Sequence, residues 1–295
     1  DFKFVRYNRR AFVFSSVLVF GSLLAFLMQG LNFGIDFKGG ILVEISSSEP
    51  VEIAGLRGRM QTLDLGEVQI QQFGTPTDIL IRVAEADDAV STERDLGAVD
   101  AMRQDLEGEF EIRRVEIVGP QVSRELIQTG ILAVVAAIGS MLIYIWFRFE
   151  WQFSVGAVMA LLHDVILTIG VFSLLQLDFN LSILAAILTI VGYSMNDTVV
   201  VYDRVRENLR KYKKMDISAL LDIAINQTLS RTVMTSVTTL LALIALYTLG
   251  GEVIRGFTFA MIWGVLVGTY SSIFIAAPLL IQLGVKRDWS EVQSS

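Results

Sequence analysis

The chain has 295 residues, 53% of them hydrophobic, with 24 lysines and arginines, 31 aspartates and glutamates, and no cysteine. So apolar a composition at this length excludes an ordinary soluble domain and marks a polytopic membrane protein. The lack of cysteine excludes disulfides and thiolate metal sites, and the formal charge of −7 is too segregated along the chain to argue by itself for or against a partner.

Residues 1–28 begin with the bases Lys3, Arg6, Arg9 and Arg10 and continue as the uncharged run Ala11–Met28. The run is of spanning length and no small-residue cleavage pattern follows, so it reads as a retained first transmembrane helix with its basic end in the cytoplasm. Residues 29–125 are polar enough for a water-soluble domain. Ile41, Val43 and Ile45 alternate as one face of a strand, as do Val68 with Ile70, and Ile79, Ile81 and Val83, around a turn at Gly74-Thr75-Pro76-Thr77. Ile53, Leu56, Met60 and Leu63 recur at helical spacing, as do Leu96, Val99, Met102 and Leu106. Ile112, Val115 and Ile117 suggest a last strand with an irregularity. The order β-α-β-β-α-β predicts a ferredoxin-like α+β domain, with both helices on one face of one sheet. Its acids Asp87, Asp88, Glu93, Asp95, Asp100, Asp105, Glu107 and Glu109 follow no ligand spacing and read as a solvated surface.

Apolar segments then return at about 126–147, 153–175, 179–202, 233–249 and 257–283, making six spans with the first. Arg148, the group Arg204, Arg206, Arg210, Lys211, Lys213, Lys214 and Arg231, and the pair Lys286 and Arg287 fall on one side; the opposite connections carry only Arg255. The termini are therefore expected in the cytoplasm and the α+β domain outside it. The expected division is 1–28, 29–125, 126–202 for the second to fourth spans, 203–232 for a basic helical loop, 233–283 for the last two spans and 284–295 for a cytoplasmic tail. Tyr202, Val205, Leu209 and Tyr212 continue the fourth helix past the bilayer, and a short separate helix, Ala219 to Leu229, is expected on the membrane surface. The loop's bases fit a topology determinant in contact with anionic lipid, or a docking surface for a cytoplasmic partner.

Asp197 and Asn196 sit inside the fourth apolar run. A carboxylate there costs roughly 2.5–3.5 kcal/mol on insertion scales, so it is expected to face a partner or water and to be functional, the alternative being a structural aspartate hydrogen-bonded to a neighbouring helix. Arg231, before the antiparallel fifth span, comes to similar depth, which permits an ion pair. Burial and a guanidinium act in opposite senses on the carboxylate's charge, so motion of Arg231 relative to Asp197 could load and unload a proton; a static pair that fixes helix packing is the alternative. Asp164, in the third span, repeats the Asp197 reasoning in weaker form. Its neighbour His163 is the only histidine and reads as a packing residue, since no second one exists to build a metal site. Gly264 with Gly268, and Gly156 with Ala160, read as close helix packing. No phosphate-binding glycine loop, HExxH, GxSxG or Cys/His cluster occurs, so neither an ATPase nor a hydrolase is supported.

Six segments in order carry a resemblance over essentially the whole chain: FGIDFKGG (33–40), VGPQVSRELI (118–127), LHD (162–164), VGYSMNDTVVVYDRVREN (191–208), NQTLSRTVMTS (226–236) and GTYSSIFIA (268–276). They resemble the SecD/SecF family of the RND superfamily, on its SecF side. The resemblance implies a non-enzymatic, RND-like accessory translocase of the bacterial inner membrane with a periplasmic domain. It would pair with SecD and use the proton motive force to pull unfolded polypeptide through SecYEG, with YajC as a further partner. No cofactor, metal or nucleic acid is implied; protons are the coupling ion. By motif, Asp197 and Arg231 correspond to the family's membrane carboxylate and arginine of proton passage, and Asp36, Lys38, Gly39 and Gly40 to a motif joining membrane to domain. The alternatives are a structural scaffold for SecD and the translocon, and an RND-type small-molecule efflux subunit, which the small external domain disfavours.

Overall fold

The computed structural model describes residues 2–63, 65–66, 68–84 and 91–285. Asp87, Asp88, Lys286, Arg287 and the rest of the tail lie outside the described residues.

The helices are α1 (Asn8–Gln29), the single turn α2 (Ile35–Lys38), α3 (Ile53–Thr62), α4 (Ser91–Leu106), α5 (Pro120–Arg148), α6 (Trp151–Leu175), α7 (Leu181–Lys211), α8 (Ile217–Leu249), α9 (Glu252–Ser271) and α10 (Ala277–Gln282). The strands are β1 (Asn32–Phe33), β2 (Gly40–Ser46), β3 (Val68–Phe73), β4 (Thr75–Val83), β5 (Glu111–Val118) and β6 (Asp178–Phe179). A π-helical turn, Ser272–Ala276, joins α9 to α10. Six helical segments among the described residues are long and apolar enough to cross a membrane.

Between α1 and α5, the sheet runs in the order β3-β4-β2-β5, antiparallel throughout, which is the expected ferredoxin-like arrangement. Ile41, Val43, Ile45, Ile79 and Ile81 alternate onto one face and pack on Leu56 and Met60 of α3 and Val99, Met102 and Leu106 of α4. Leu96, counted in the α4 stripe, is exposed instead. The irregularity expected in β5 is a bulge: Glu44 pairs with Arg114 and Ile45 with Ile112, leaving Arg113 over. Among the expected surface acids, Asp105 and Glu109 bind Arg59 at 3.1 and 2.5 Å.

In the bundle, α6, α7 and the α9–α10 segment form the buried centre, while α1, α5 and α8 are mostly exposed. Gly264 and Gly268 let α9 close on α7: a Cβ on Gly264 would lie 2.3 Å from Ile190, and one on Gly268 3.0 Å from Ser194. Gly156 likewise admits the Tyr202 hydroxyl, which donates to the Ala276 carbonyl of the π turn at 3.0 Å.

The separate surface helix expected at Ala219–Leu229 does not form. Asp216 caps α8 by accepting from the amides of Ser218 and Ala219 at 2.9 and 3.4 Å, and no glycine or proline interrupts the 33 residues that follow. Leu220, Leu221, Ala224 and Ile225 are buried in the bundle core, so this segment is the first part of the continuous helix α8 and packs inside the bundle. As expected from Tyr202, Val205, Leu209 and Tyr212, α7 continues through Lys211, and α8 begins at Ile217.

Candidate functional site

Asp197 lies on the inner face of α7, 4% exposed. The ion pair with Arg231 that the spacing permitted is not formed; the Thr232 hydroxyl donates to Asp197 Oδ1 at 3.4 Å. Successive helical residues point about 100° apart, so a buried Thr232 turns Arg231 outward, where it is exposed. Arg231 still lies near enough to attract Asp197 electrostatically. Asp197 Oδ2 is buried with no hydrogen-bond partner among the described residues. Asn196 is exposed, on a different face of α7, and takes no part in this site.

Asp164, 1% exposed, is bound on both oxygens. Ser194 of α7 and Ser271 of α9 donate to Oδ2 at 2.5 and 2.8 Å, and His163 Nδ1 lies 2.9 Å from Oδ1. The Asp164 carbonyl accepts from Thr168 at 2.8 Å. Ser194 precedes Asp197 by one helical turn, so α7 touches both carboxylates. Asp164 thus ties three central helices together, while Asp197 retains an unpartnered acceptor. Sequence reasoning missed Ser194, Ser271 and Thr232; the available signal was that each is a hydroxyl within an apolar run, inside a segment already singled out.

The other end of the bundle carries the junction with the α+β domain. Gly39 and Gly40 hold φ of 78° and 113°, a region glycine tolerates and L side chains rarely adopt. They turn the chain from α2 into β2. Asp36 accepts from the amide of Leu181 at the start of α7 at 2.9 Å, and Lys38 is exposed. Gly34 donates to the Phe179 carbonyl at 2.8 Å, and β1 pairs with β6 in parallel. Arg82 of β4 forms an ion pair with Asp178, whose other oxygen accepts from Asn32 at 2.9 Å. The start of α7 and the sheet are thereby joined to one short connection between membrane helices.

Two buried carboxylates on adjacent central helices, with a ferredoxin-like domain tied to the start of α7, define a polytopic membrane protein of the transport type. The family model described as protein export membrane protein SecD/SecF, C-terminal, matches residues 98–286, and that of the SecD/SecF GG motif matches residues 24–51. The chain belongs to the SecD/SecF family, as a SecF-type member. It is 46% identical over 287 residues to protein translocase subunit SecF of Rickettsia rickettsii, covering 95% of this chain and 91% of the relative. Identity to SecF of Cereibacter sphaeroides is 47% over 283 residues, covering 94% and 87%. The crystal structure of SecDF from Thermus thermophilus, a translocon-associated membrane protein, superposes with a TM-score of 0.86 at 36% identity, over 96% of this chain and 38% of that one. SecDF in its super-membrane-facing form gives a TM-score of 0.71 at 36% identity, over 100% of this chain and 40% of that one.

Proposed function

We propose that this chain is a subunit of the Sec export machinery that acts with a SecD partner to draw unfolded polypeptide through SecYEG, using the proton motive force. YajC is a candidate neighbour. In this reading the basic end of the bundle faces the cytoplasm of a bacterial inner membrane and the α+β domain faces the periplasm. The single observation that carries it is the state of Asp197: a buried carboxyl with one oxygen held by Thr232, the other without a partner among the described residues, and an exposed Arg231 near enough to attract it without an ion pair. A proton, or approach of Arg231, would satisfy the vacant oxygen, which makes two alternative states of one site.

The magnitudes permit coupling. One proton crossing about 100 mV releases roughly 2.3 kcal/mol. Switching a two-state domain from 1:99 to 99:1 takes about 5.5 kcal/mol, so one proton biases the domain and a few commit it. Vesicles containing this chain, SecD and the translocon test the reading by comparing wild type with Asp197→Asn for gradient-dependent completion of export, with co-purification as the control for assembly. Loss of the gradient effect in an assembled complex is the expected result. Unchanged export would reduce Asp197 to a packing residue and the chain to a scaffold.

A further inference from the structure

At the end of the bundle opposite the α+β domain, the α5–α6 turn and the last turns of α7 enclose an open pocket of about 420 Å³, lined by Arg148, Asp203, Arg206, Glu207, Arg210 and Lys211. Its four cations exceed its two carboxylates, and both carboxylates are engaged. Asp203 binds Arg148 at 2.8 Å, and Glu207 is held by Arg204, from outside the lining, at 2.8 Å. Arg206 feels Arg148 and Arg210 as like charges, with Asp203 and Glu150 as the nearby acids. The fold nevertheless holds two of these guanidiniums together. Arg206 donates to the main-chain carbonyl of Arg148 at 3.2 Å, and both groups lie over the Phe149 ring, 5.0 and 5.9 Å from its centre. A concave cluster of clamped arginines is suited to an anion with several oxygens in fixed geometry, as phosphate has.

The surroundings fix the depth of the pocket. Tyr144, Trp146, Phe147 and Trp151 flank Arg148 in sequence and are 54, 64, 90 and 55% exposed. Exposed tryptophan and tyrosine at the end of apolar helices mark the level of lipid headgroups. A pocket at that level lies within reach of the phosphates of lipid headgroups.

We propose that this pocket binds the phosphate of an anionic phospholipid from the leaflet at the basic end of the bundle. The inference rests on the membrane reading and not on proton coupling, so its failure would leave the role of Asp197 untouched.

The test uses the full chain with SecD in phosphatidylcholine nanodiscs doped with a photoreactive phosphatidylglycerol or its phosphatidylcholine counterpart, followed by mapping of labelled peptides. The phosphatidylglycerol probe is expected to label residues 144–151 and 203–211 several-fold more than the phosphatidylcholine probe, with millimolar inorganic phosphate failing to compete. Arg206→Gln/Arg210→Gln is expected to lower labelling there by up to about fivefold per cation removed. Arg9→Gln/Arg10→Gln, an equal charge change on α1, is expected to leave it within twofold. Equal labelling by both probes, or labelling elsewhere, would overturn the proposal in the wild-type protein alone. Equal loss in both variants would reduce it to general surface charge, and competition by inorganic phosphate would make the occupant a free anion.

Discussion

Thr232, rather than Arg231, is the side chain that reaches Asp197, its hydroxyl 3.4 Å from Oδ1. The two positions therefore separate cleanly by mutation. Thr232→Val keeps the volume and leaves a buried carboxyl with no donor, at a cost of about 1–3 kcal/mol. Arg231→Gln alters an exposed side chain and is expected to stay within about 0.5 kcal/mol. Thermal unfolding of the purified chain checks both. Gradient-driven export is expected to fall in Arg231→Gln despite its wild-type stability. Full export by that variant would remove the arginine from the mechanism.

The glycines of the bundle make a second, purely steric prediction. A Cβ at Gly170 of α6 would sit 2.2 Å from the Ser22 side chain and 2.7 Å from its Cα on α1, so the helices must part to admit it. Gly192 of α7 has nothing within 4 Å of the same position. Gly170→Ala is expected to destabilise by about 1–3 kcal/mol through overpacking. Gly192→Ala is expected to be neutral or to stabilise by up to about 1 kcal/mol through helix propensity. Unfolding midpoints of the two variants, measured side by side, decide this. A stable Gly170→Ala chain would mean that α1 is held loosely against α6.

These contrasts also show what a sequence can carry. The six apolar helices and the ferredoxin-like order were legible because apolar runs and period-two alternation are local signals: Ile41, Val43 and Ile45 announce both a strand and its buried face. Even the bulge at Arg113 showed as a break in the spacing of Ile112 and Val115. The separate surface helix failed because the polar stretch around Asn226 to Arg231 suggests a boundary, whereas nothing in its backbone chemistry ends a helix. The strands β1 and β6 are two residues each, too short for any periodicity, so their parallel pairing was out of reach. For Asp197, depth was legible and azimuth was not. Arg231 and Thr232 are adjacent in sequence, and only the packed orientation of α8 selects between them.

Asp78, in the α+β domain, sets an acid-dependent stability. Its carboxyl accepts from the Ser46 hydroxyl at 2.6 Å and the Thr75 hydroxyl at 2.8 Å, and pairs with Arg113 at 3.0 Å. The Ser46 hydrogen bond foremost, then the one from Thr75 and the positive charge of Arg113, hold it below the usual carboxylate range against an opposing effect of burial. A depressed folded-state value means that the contribution is complete above the unfolded value of about 3.9 and is lost as pH falls through the folded one. Asp78→Asn is therefore expected to lower protection of the β2 and β4 amides in hydrogen exchange at neutral pH, with the gap from wild type closing in acid. A gap that persists unchanged below the folded value would show that the asparagine disrupts packing rather than charge.

The ion pair between Arg82 and Asp178 makes the last prediction, because it joins the two halves of the molecule. Arg82 stands on β4, its side chain 11% exposed, and Asp178 lies in the short connection from α6 to α7, where Asn32 also holds it. Asp178→Asn leaves Arg82 without its counter-charge at the junction and weakens a polar tie between sheet and bundle, where Gln71 of β3 also donates to Asp178 at 3.5 Å. The domain is then expected to sample a wider range of orientations. The chain has no cysteine, so spin labels at Arg57→Cys and Leu249→Cys report on the domain and the bundle without background. Wild type is expected to give one narrow distance distribution, Asp178→Asn a broader one, and Arg82→Gln/Asp178→Asn no more broadening than the single change, since the pair acts as a unit. A distribution unchanged by Asp178→Asn would place the restraint on the domain in the Gly39–Gly40 turn and the Asp36 contact instead.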